Sequence, residues 1–191
     1  MSEAALRSGV RSAVRGLWSG VLSKGDFTSA MKSVLGRQLM LAWIEGAAEC
    51  GTKADELSEE ESKARDIFIK EQDGFISEFG DAIRERDKIS GGKLQPLFGR
   101  AEMWINRYAD ARNQAKILAC GDSKLLWTVG PTEHCRDCLN YNGRVHKASV
   151  WAKYEIRPQS PRLACHGFRC QCQLSKTDKR LTKGVPPRMT G

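Results

Sequence analysis

Residues 127–174 decide how this chain is read: Trp127-Thr-Val-Gly-Pro-Thr-Glu-His-Cys-Arg-Asp-Cys-Leu-Asn-Tyr-Asn-Gly-Arg-Val-His146, a spacer, then Leu163-Ala-Cys-His-Gly-Phe-Arg-Cys-Gln-Cys-Gln-Leu174. Five of the seven cysteines fall here, at Cys135, Cys138, Cys165, Cys170 and Cys172. A Cys-x-x-Cys pair and a Cys-x4-Cys-x-Cys group, separated by a loop, are how a short chain builds a tetrahedral zinc site. The two-residue gap lets Cys135 and Cys138 face one ion. The first choice of ligands is Cys135, Cys138, Cys165 and Cys170, with Cys172 a close alternative for either of the last two. His166 is a further candidate; His134 and His146 rank behind it.

A site closed by four protein ligands has no open coordination position, so this spacing points to a structural metal rather than a catalytic one. A thioredoxin-like role for Cys135 and Cys138 needs a strand–helix–strand context that the pattern lacks. A zinc deaminase needs His-x-Glu and Pro-Cys-x-x-Cys, and neither is present. A zinc- or cysteine-dependent hydrolase ranks last. Cys165-His166 and His134-Cys135 bring the right residue types together, but sequence neighbours rarely place the imidazole on the adjacent sulfur.

Charge separates the same region from the rest. Residues 131–191 hold 12 Lys/Arg against 4 Asp/Glu, whereas residues 1–130 hold 19 of each. The net charge of +8 therefore belongs entirely to the cysteine-rich third and its tail. Such a segment favours a polyanion, with Lys176, Lys179, Arg180, Lys183 and Arg188 as candidate nucleic-acid contacts. The alternative is a solvated tail that keeps the protein dispersed. No apolar run approaches the roughly 20 residues that span a bilayer, and no membrane partner is expected. Residues 1–12 carry charges and lack the apolar core of a signal peptide. The expected setting is a reducing cytosol, where clustered cysteines bind metal rather than form disulfides.

Upstream, apolar residues recur at helical spacing. Leu6, Val10, Val14, Leu17 and Val21 mark a helix over 2–23, ended by Gly25, with Asp26 capping the next. Phe27, Met31, Val34, Leu35, Ala42 and Trp43 mark a second helix over 27–49, with Gly51 as its C-terminal cap. Ser58-Glu-Glu-Glu61 is a capping box opening a third helix, whose buried face is Ala64, Phe68, Phe75, Phe79 and Ile83. Gly74 weakens it locally. Leu97, Ala101, Trp104, Tyr108, Ala111, Ala115 and Leu118 form an unbroken seam on a fourth helix, suited to internal packing or to a homo-oligomer. Beyond Gly121 the period shortens. Strands are expected over 124–129, 144–146 and 170–174, with a short helix over 148–155 capped by Ser149, and an extended tail thereafter. The fold class is mainly α: a helical body of about four helices (1–121), a small β-rich, zinc-stapled module (122–174) and a basic extended tail (175–191).

The order Trp127-Thr128, Glu133-His-Cys-Arg-Asp-Cys-Leu139, Asn142-Gly-Arg-Val145, Leu163-Ala-Cys-His-Gly167 and Cys170-Gln-Cys172 resembles the C-terminal end of tailed-bacteriophage head morphogenesis proteins, the Mu-F-like minor head proteins. Arg100-Ala-Glu-Met-Trp-Ile-Asn-Arg-Tyr108 resembles the helix that precedes that motif, so the specific likeness covers about residues 97–174. Many relatives carry His-Pro before a terminal Cys-Arg-Cys; here Cys165-His166-Gly167 stands in that place and Gln171 replaces the Arg. The chain is also short for the family. The resemblance implies a virion component inside the capsid near the portal, made in the host cytoplasm and acting in capsid assembly. Its partners would be the portal or major capsid protein, with packaged DNA as a further contact, and no catalysis is implied. It carries the five cysteines over as ligands of a structural zinc. The alternative function is a zinc-stapled nucleic-acid-binding protein acting outside the virion.

Overall fold

A computed structural model describes residues 3–131 and 133–191; Ser2, where the first expected helix begins, and Thr132 lie outside the described residues. The chain is mainly helical with one small antiparallel sheet. Its helical part comprises α1 (Glu3–Trp18), α2 (Lys24–Ala48), α3 (Glu59–Glu71), a 3₁₀ turn (Gln72–Phe75), α4 (Ile76–Arg84) and α5 (Leu94–Ala119). There follow β1 (Lys124–Thr128), α6 (Arg136–Tyr141), β2 (Val145–Lys147), α7 (Ala148–Lys153) and β3 (Gln173–Lys176).

The helices begin where side chains can satisfy free backbone N–H groups. Ser58 and Glu61 form the expected capping box on α3. A second box, Ser23 with Asp26, opens α2, so Asp26 sits inside the helix and Ser23 is the cap. Accordingly α1 stops at Trp18, Gly20 turns the chain at φ +76°, and Val21 is exposed rather than in the stripe. The third expected helix is two: the chain tightens into the 3₁₀ turn around Gly74, which turns Phe75 out to solvent.

The long pair α2 and α5 forms the spine, with α1 packed across both. Leu97, Ala101, Trp104, Tyr108, Ala111 and Ala115 are all buried in this first core, so the seam that could have served an oligomer is taken up inside the chain. Trp104 stacks on Phe79 at 4.9 Å, and Phe79 meets Phe27 edge-on at 6.1 Å. Glu102 on α5 accepts both Arg7 (2.7 Å) and Arg11 (2.9 Å) from α1. At the far end Cys50 and Cys120 are joined by a disulfide, Cα–Cα 5.0 Å, which ties the end of α2 to the end of α5. The reducing-compartment expectation does not anticipate this pair, whose partners lie 70 residues apart in sequence.

The last turns of α5 enter a second core. Ile117 and Cys120 join Leu125, Trp127, Tyr141, Trp151, Ile156, Leu163 and Leu174. Trp127 lies 4.8 Å from the Tyr141 ring and 5.8 Å from Trp151. The sheet order is β2–β1–β3, with Lys124 opposite Lys147 and Trp127 opposite Leu174. Three expectations shift here. The last strand is Gln173–Lys176, leaving Cys170 and Cys172 in the preceding loop and taking Ser175 and Lys176 out of the expected tail. Lys147, not Ser149, occupies the cap position of α7; the Ser149 hydroxyl instead bonds Asp122 at 3.1 Å. The tail after Lys176 lacks regular structure yet packs on the module: Tyr141 Oη donates to Pro187 O at 2.7 Å and Met189 covers the second core.

Close approach of α2 and α5 requires Gly46, where a Cβ would collide with the Arg112 carbonyl and sit 2.9 Å from the Ala115 Cβ. Gly46→Ala should therefore lower stability by about 2 kcal/mol through overpacking. Thermal unfolding followed by far-UV circular dichroism checks this; an unchanged midpoint would show that the spine relaxes freely.

Candidate metal centre

Three chain segments carry sulfur to one place. Cys135 is the extended residue before α6, and Cys138 lies in its first turn, with Leu139 N bonding Cys135 O at 3.1 Å. This short turn is what lets a Cys-x-x-Cys pair point both sulfurs the same way. The second arm coils tightly: His166, Gly167 and Arg169 have φ of +50°, +73° and +50°. Gly167 is required, because a Cβ there would strike the Gln159 carbonyl. The coil brings Cys165 back beside Cys170, and the chain then runs through Cys172 into β3.

The Sγ atoms of Cys135, Cys138 and Cys165 lie within 4.8 Å of one another, and so do those of Cys138, Cys170 and Cys172. All five are free thiols. Cys138 is common to both groups and 3.8 Å from the Cys170 sulfur. The cluster can hold a metal ion. It also places Cys172 on the same footing as Cys165 around the shared sulfur, where the spacing ranked it as the alternative.

The histidines separate by environment. His134 Nε2 donates to the Gly130 carbonyl at 2.8 Å, and its Nδ1 faces Cys172 Sγ at 3.9 Å. His166 is exposed and its Nδ1 bonds Pro161 O at 3.0 Å. His146 is buried edge-on to Trp151 at 5.0 Å. Burial, then the neighbouring Arg144, pulls its pKa down, and it belongs to the core.

Electrostatics favour a cation at the sulfurs. Contacts with Cys165, Cys170 and Cys172 push the Cys138 thiol far above the usual range, so it retains its proton and donates. Cys170 is lowered by Cys138, then Cys165. Cys172 is held down to about 4 by Cys138 and Cys170, with the Trp127 indole N–H and the Gly130 backbone N–H also against it. A divalent ion would replace the shared protons and neutralise the crowded thiolates.

Two residues outside the cysteine pattern build the cluster's frame. Asp137, inside the Cys-x-x-Cys pair, accepts from Ala164 N (2.9 Å), Thr190 N (3.1 Å) and Thr190 Oγ1 (2.8 Å). It thereby joins the first cysteine arm to the residue before Cys165 and to the end of the tail. Burial pushes its carboxyl up, but the bonds from Thr190 and Ala164 outweigh this and hold it below the ordinary range. Gln159, fully buried, donates from Nε2 to Cys170 O (2.9 Å) and Cys172 O (2.7 Å). Its Oε1 accepts from Asn113 Nδ2 of α5 at 2.8 Å, and Asn113 Oδ1 accepts from Leu174 N at 3.0 Å. An acid inside Cys-x-x-Cys is a visible sequence feature, although its partner Thr190 is not; Gln159 in a proline-flanked loop gives no sequence signal.

A polar cleft of about 750 Å³ lies beside this frame, between Arg7, Arg11 and Glu102 on one side and residues 169–173 on the other. Of the cations that line it, Arg7 and Arg11 are paired with Glu102, and Arg112 and Lys116 with Glu49. Of the basic candidates, Lys176, Lys179, Arg180 and Lys183 lie where the chain rounds the sheet, whereas Arg188 lines a separate groove with Lys153, Tyr154 and Arg162. Comparison with protein-family models, with curated proteins and with solved structures yields no match.

Gln159→Ala would leave two buried carbonyls and one N–H of the Asn113 amide without their partner, at about 1–3 kcal/mol for each group. We expect the 159–174 region to become protease-sensitive while the α1–α5 body resists. Limited proteolysis read by mass spectrometry checks this, and uniform resistance throughout would mean that water replaces the amide.

Proposed function

We propose that this protein is a zinc-stapled minor head protein of a tailed bacteriophage, a non-catalytic component of capsid assembly inside the head near the portal. The observation that carries the metal part is the meeting of five free sulfurs around Cys138. An all-thiolate set is soft and suits zinc, held by Cys138 with three of Cys135, Cys165, Cys170 and Cys172. Bound there, zinc would supply folding energy to a module whose sheet has three short strands. The head-protein part rests on the resemblance of residues 97–174. Its motif residues fall at structural key points: Trp127 in the second core, the cysteines at the cluster, and Asn142-Gly143-Arg144 in the turn into β2. In this reading the helical body contacts the portal or major capsid protein and the basic third faces packaged DNA. A zinc-stapled nucleic-acid-binding protein acting outside the virion is the second reading, favoured by the concentration of basic residues in the cysteine-rich third.

Elemental analysis with X-ray absorption at the zinc edge should find about one zinc per chain in a shell dominated by sulfur. Cys138→Ser, which removes the shared sulfur, should lose the metal outright and unfold residues 124–174 while α1–α5 keep their helicity. Retention of a full zinc equivalent by this variant would remove the staple. Absence of the protein from purified procapsids and virions would remove the head assignment and leave the second reading.

A further inference from the structure

Beyond Lys176 the chain stays on the module. Thr177 N donates to Lys124 O at 3.1 Å, Lys124 Nζ donates to Asp178 O at 2.7 Å, and Lys179 N donates to Thr177 Oγ1 at 3.2 Å. Thr182 N then donates to Val145 O, and Val145 N donates to Thr182 Oγ1, both at 2.9 Å. The segment 177–182 thus leaves β3, passes the first residue of β1 and reaches the outer edge of β2. Along it and at its two ends Lys176, Lys179, Arg180 and Lys183 are exposed. Lys124 and Lys147, opposite each other across β1 and β2, belong to the same corner.

Six cations from three distant chain segments therefore meet at one corner, with Asp122 and Asp178 as the acidic residues among them. Asp122 is engaged by Lys147 at 3.4 Å and by the Ser149 hydroxyl. Among the described residues, no ion pair engages Lys124, Lys176, Lys179, Arg180 or Lys183. In the helical body Arg7, Arg11, Arg112 and Lys116 are each paired with a carboxylate, and the exposed Lys63, Lys70 and Arg84 stand on α3 and α4 rather than gathered at one corner. Fixing unpaired like charges near one another is unfavourable, and a loose tail would relieve it. Here backbone hydrogen bonds hold them in place, the arrangement that suits a partner of closely and regularly spaced negative charge.

We infer that this corner, formed by Lys124, Lys147 and the 176–183 segment, docks the phosphate backbone of duplex DNA without reading its sequence. A duplex offers one phosphate per about 1.7 Å of axis, a density that a carboxylate-bearing protein surface does not match. Residues 176–183 include no aromatic side chain that could stack on a base and form no helix that could enter a groove. Leu181 is the one large apolar side chain exposed on the segment, too little for insertion into a lipid surface. The inference deepens, and for the presence of DNA rests on, the reading of the basic third given above.

The test is fluorescence anisotropy of the full, metal-loaded chain with a random-sequence duplex about two helical turns long, over a series of salt concentrations. Log affinity should fall linearly with log salt at a slope of about −4 to −5, as for four to six phosphate contacts. The triple variant Lys179→Glu/Arg180→Glu/Lys183→Glu should flatten that slope by about 3. Lys63→Glu/Lys70→Glu/Arg84→Glu makes the same charge change on exposed sites of α3 and α4, and should leave the slope within about one unit. Equal losses from both variants, absence of salt-dependent binding, or equal capture by phosphatidylserine vesicles would each overturn the inference. Zinc content measured on the same samples separates the two readings. Metal-loaded protein that ignores DNA sinks the docking corner alone, and metal-free protein that still binds through this corner sinks the staple alone.

Discussion

A short relay of buried amides, Asn113 to Gln159 to the carbonyls of Cys170 and Cys172, is the constraint on which the arrangement turns. The sulfur loop pairs the carbonyls of Leu163, Cys165 and Gly167 within itself, but those of Cys170 and Cys172 need an outside donor, and burial forbids leaving them bare. The nearest rigid donor is a side chain anchored to α5. Around the relay the seam between body and module carries further polar bonds: Lys116 Nζ donates to Leu174 O at 2.8 Å, and the buried Asp110 takes Arg157 at 2.7 Å and Arg107 at 2.8 Å. Both cores are apolar, and directional bonds join them beside the helix that they share. Such contacts fix one register where grease would permit several.

The helix α5 makes this possible because it belongs to both parts. Its residues through Ala115 fill the first core, and Ile117 enters the second. The disulfide at its end closes the remaining freedom by fastening α2 to the point where the chain enters the sheet. The module therefore hangs from a stiff rod held at both ends, and its own small core of stacked aromatics needs only one more organising element. The sulfurs around Cys138 supply the place for it, and Cys172, with no exposure and its indole and amide neighbours, is as well placed to contribute as the cysteine that sequence spacing would rank third.

What could be read beforehand divides along a physical line. Local periodicity was sufficient for the α5 stripe and for the Ser58–Glu61 box, because both arise from contacts three or four residues apart. Cysteine spacing was sufficient to bring five sulfurs together, since few other arrangements accept them. The alternation Cys170-Gln-Cys-Gln-Leu174 imitated a strand, but the carbonyls of Cys170 and Cys172 are taken by a side chain and cannot join a ladder. Gln159, Asp137 and the Cys50–Cys120 pair stayed illegible because each depends on a partner brought near only by the finished fold. Composition gives the tail as basic and extended, as it is, but not that it packs on the module. Its charges are real, yet two threonines and a tyrosine hydroxyl are enough to lay it down.

The bond from Thr190 to Asp137 also sets an order of events during synthesis. The body's core is complete once the ribosome has delivered α5, and contacts there can mature while the rest is still being made. The cysteine arms appear next, but the residue that fastens them together is held from a point more than fifty positions later in the chain. For that interval the sulfurs are assembled but unlatched, open to whatever ion the surroundings provide. Closure waits until Thr190 has been made and has folded back onto Asp137.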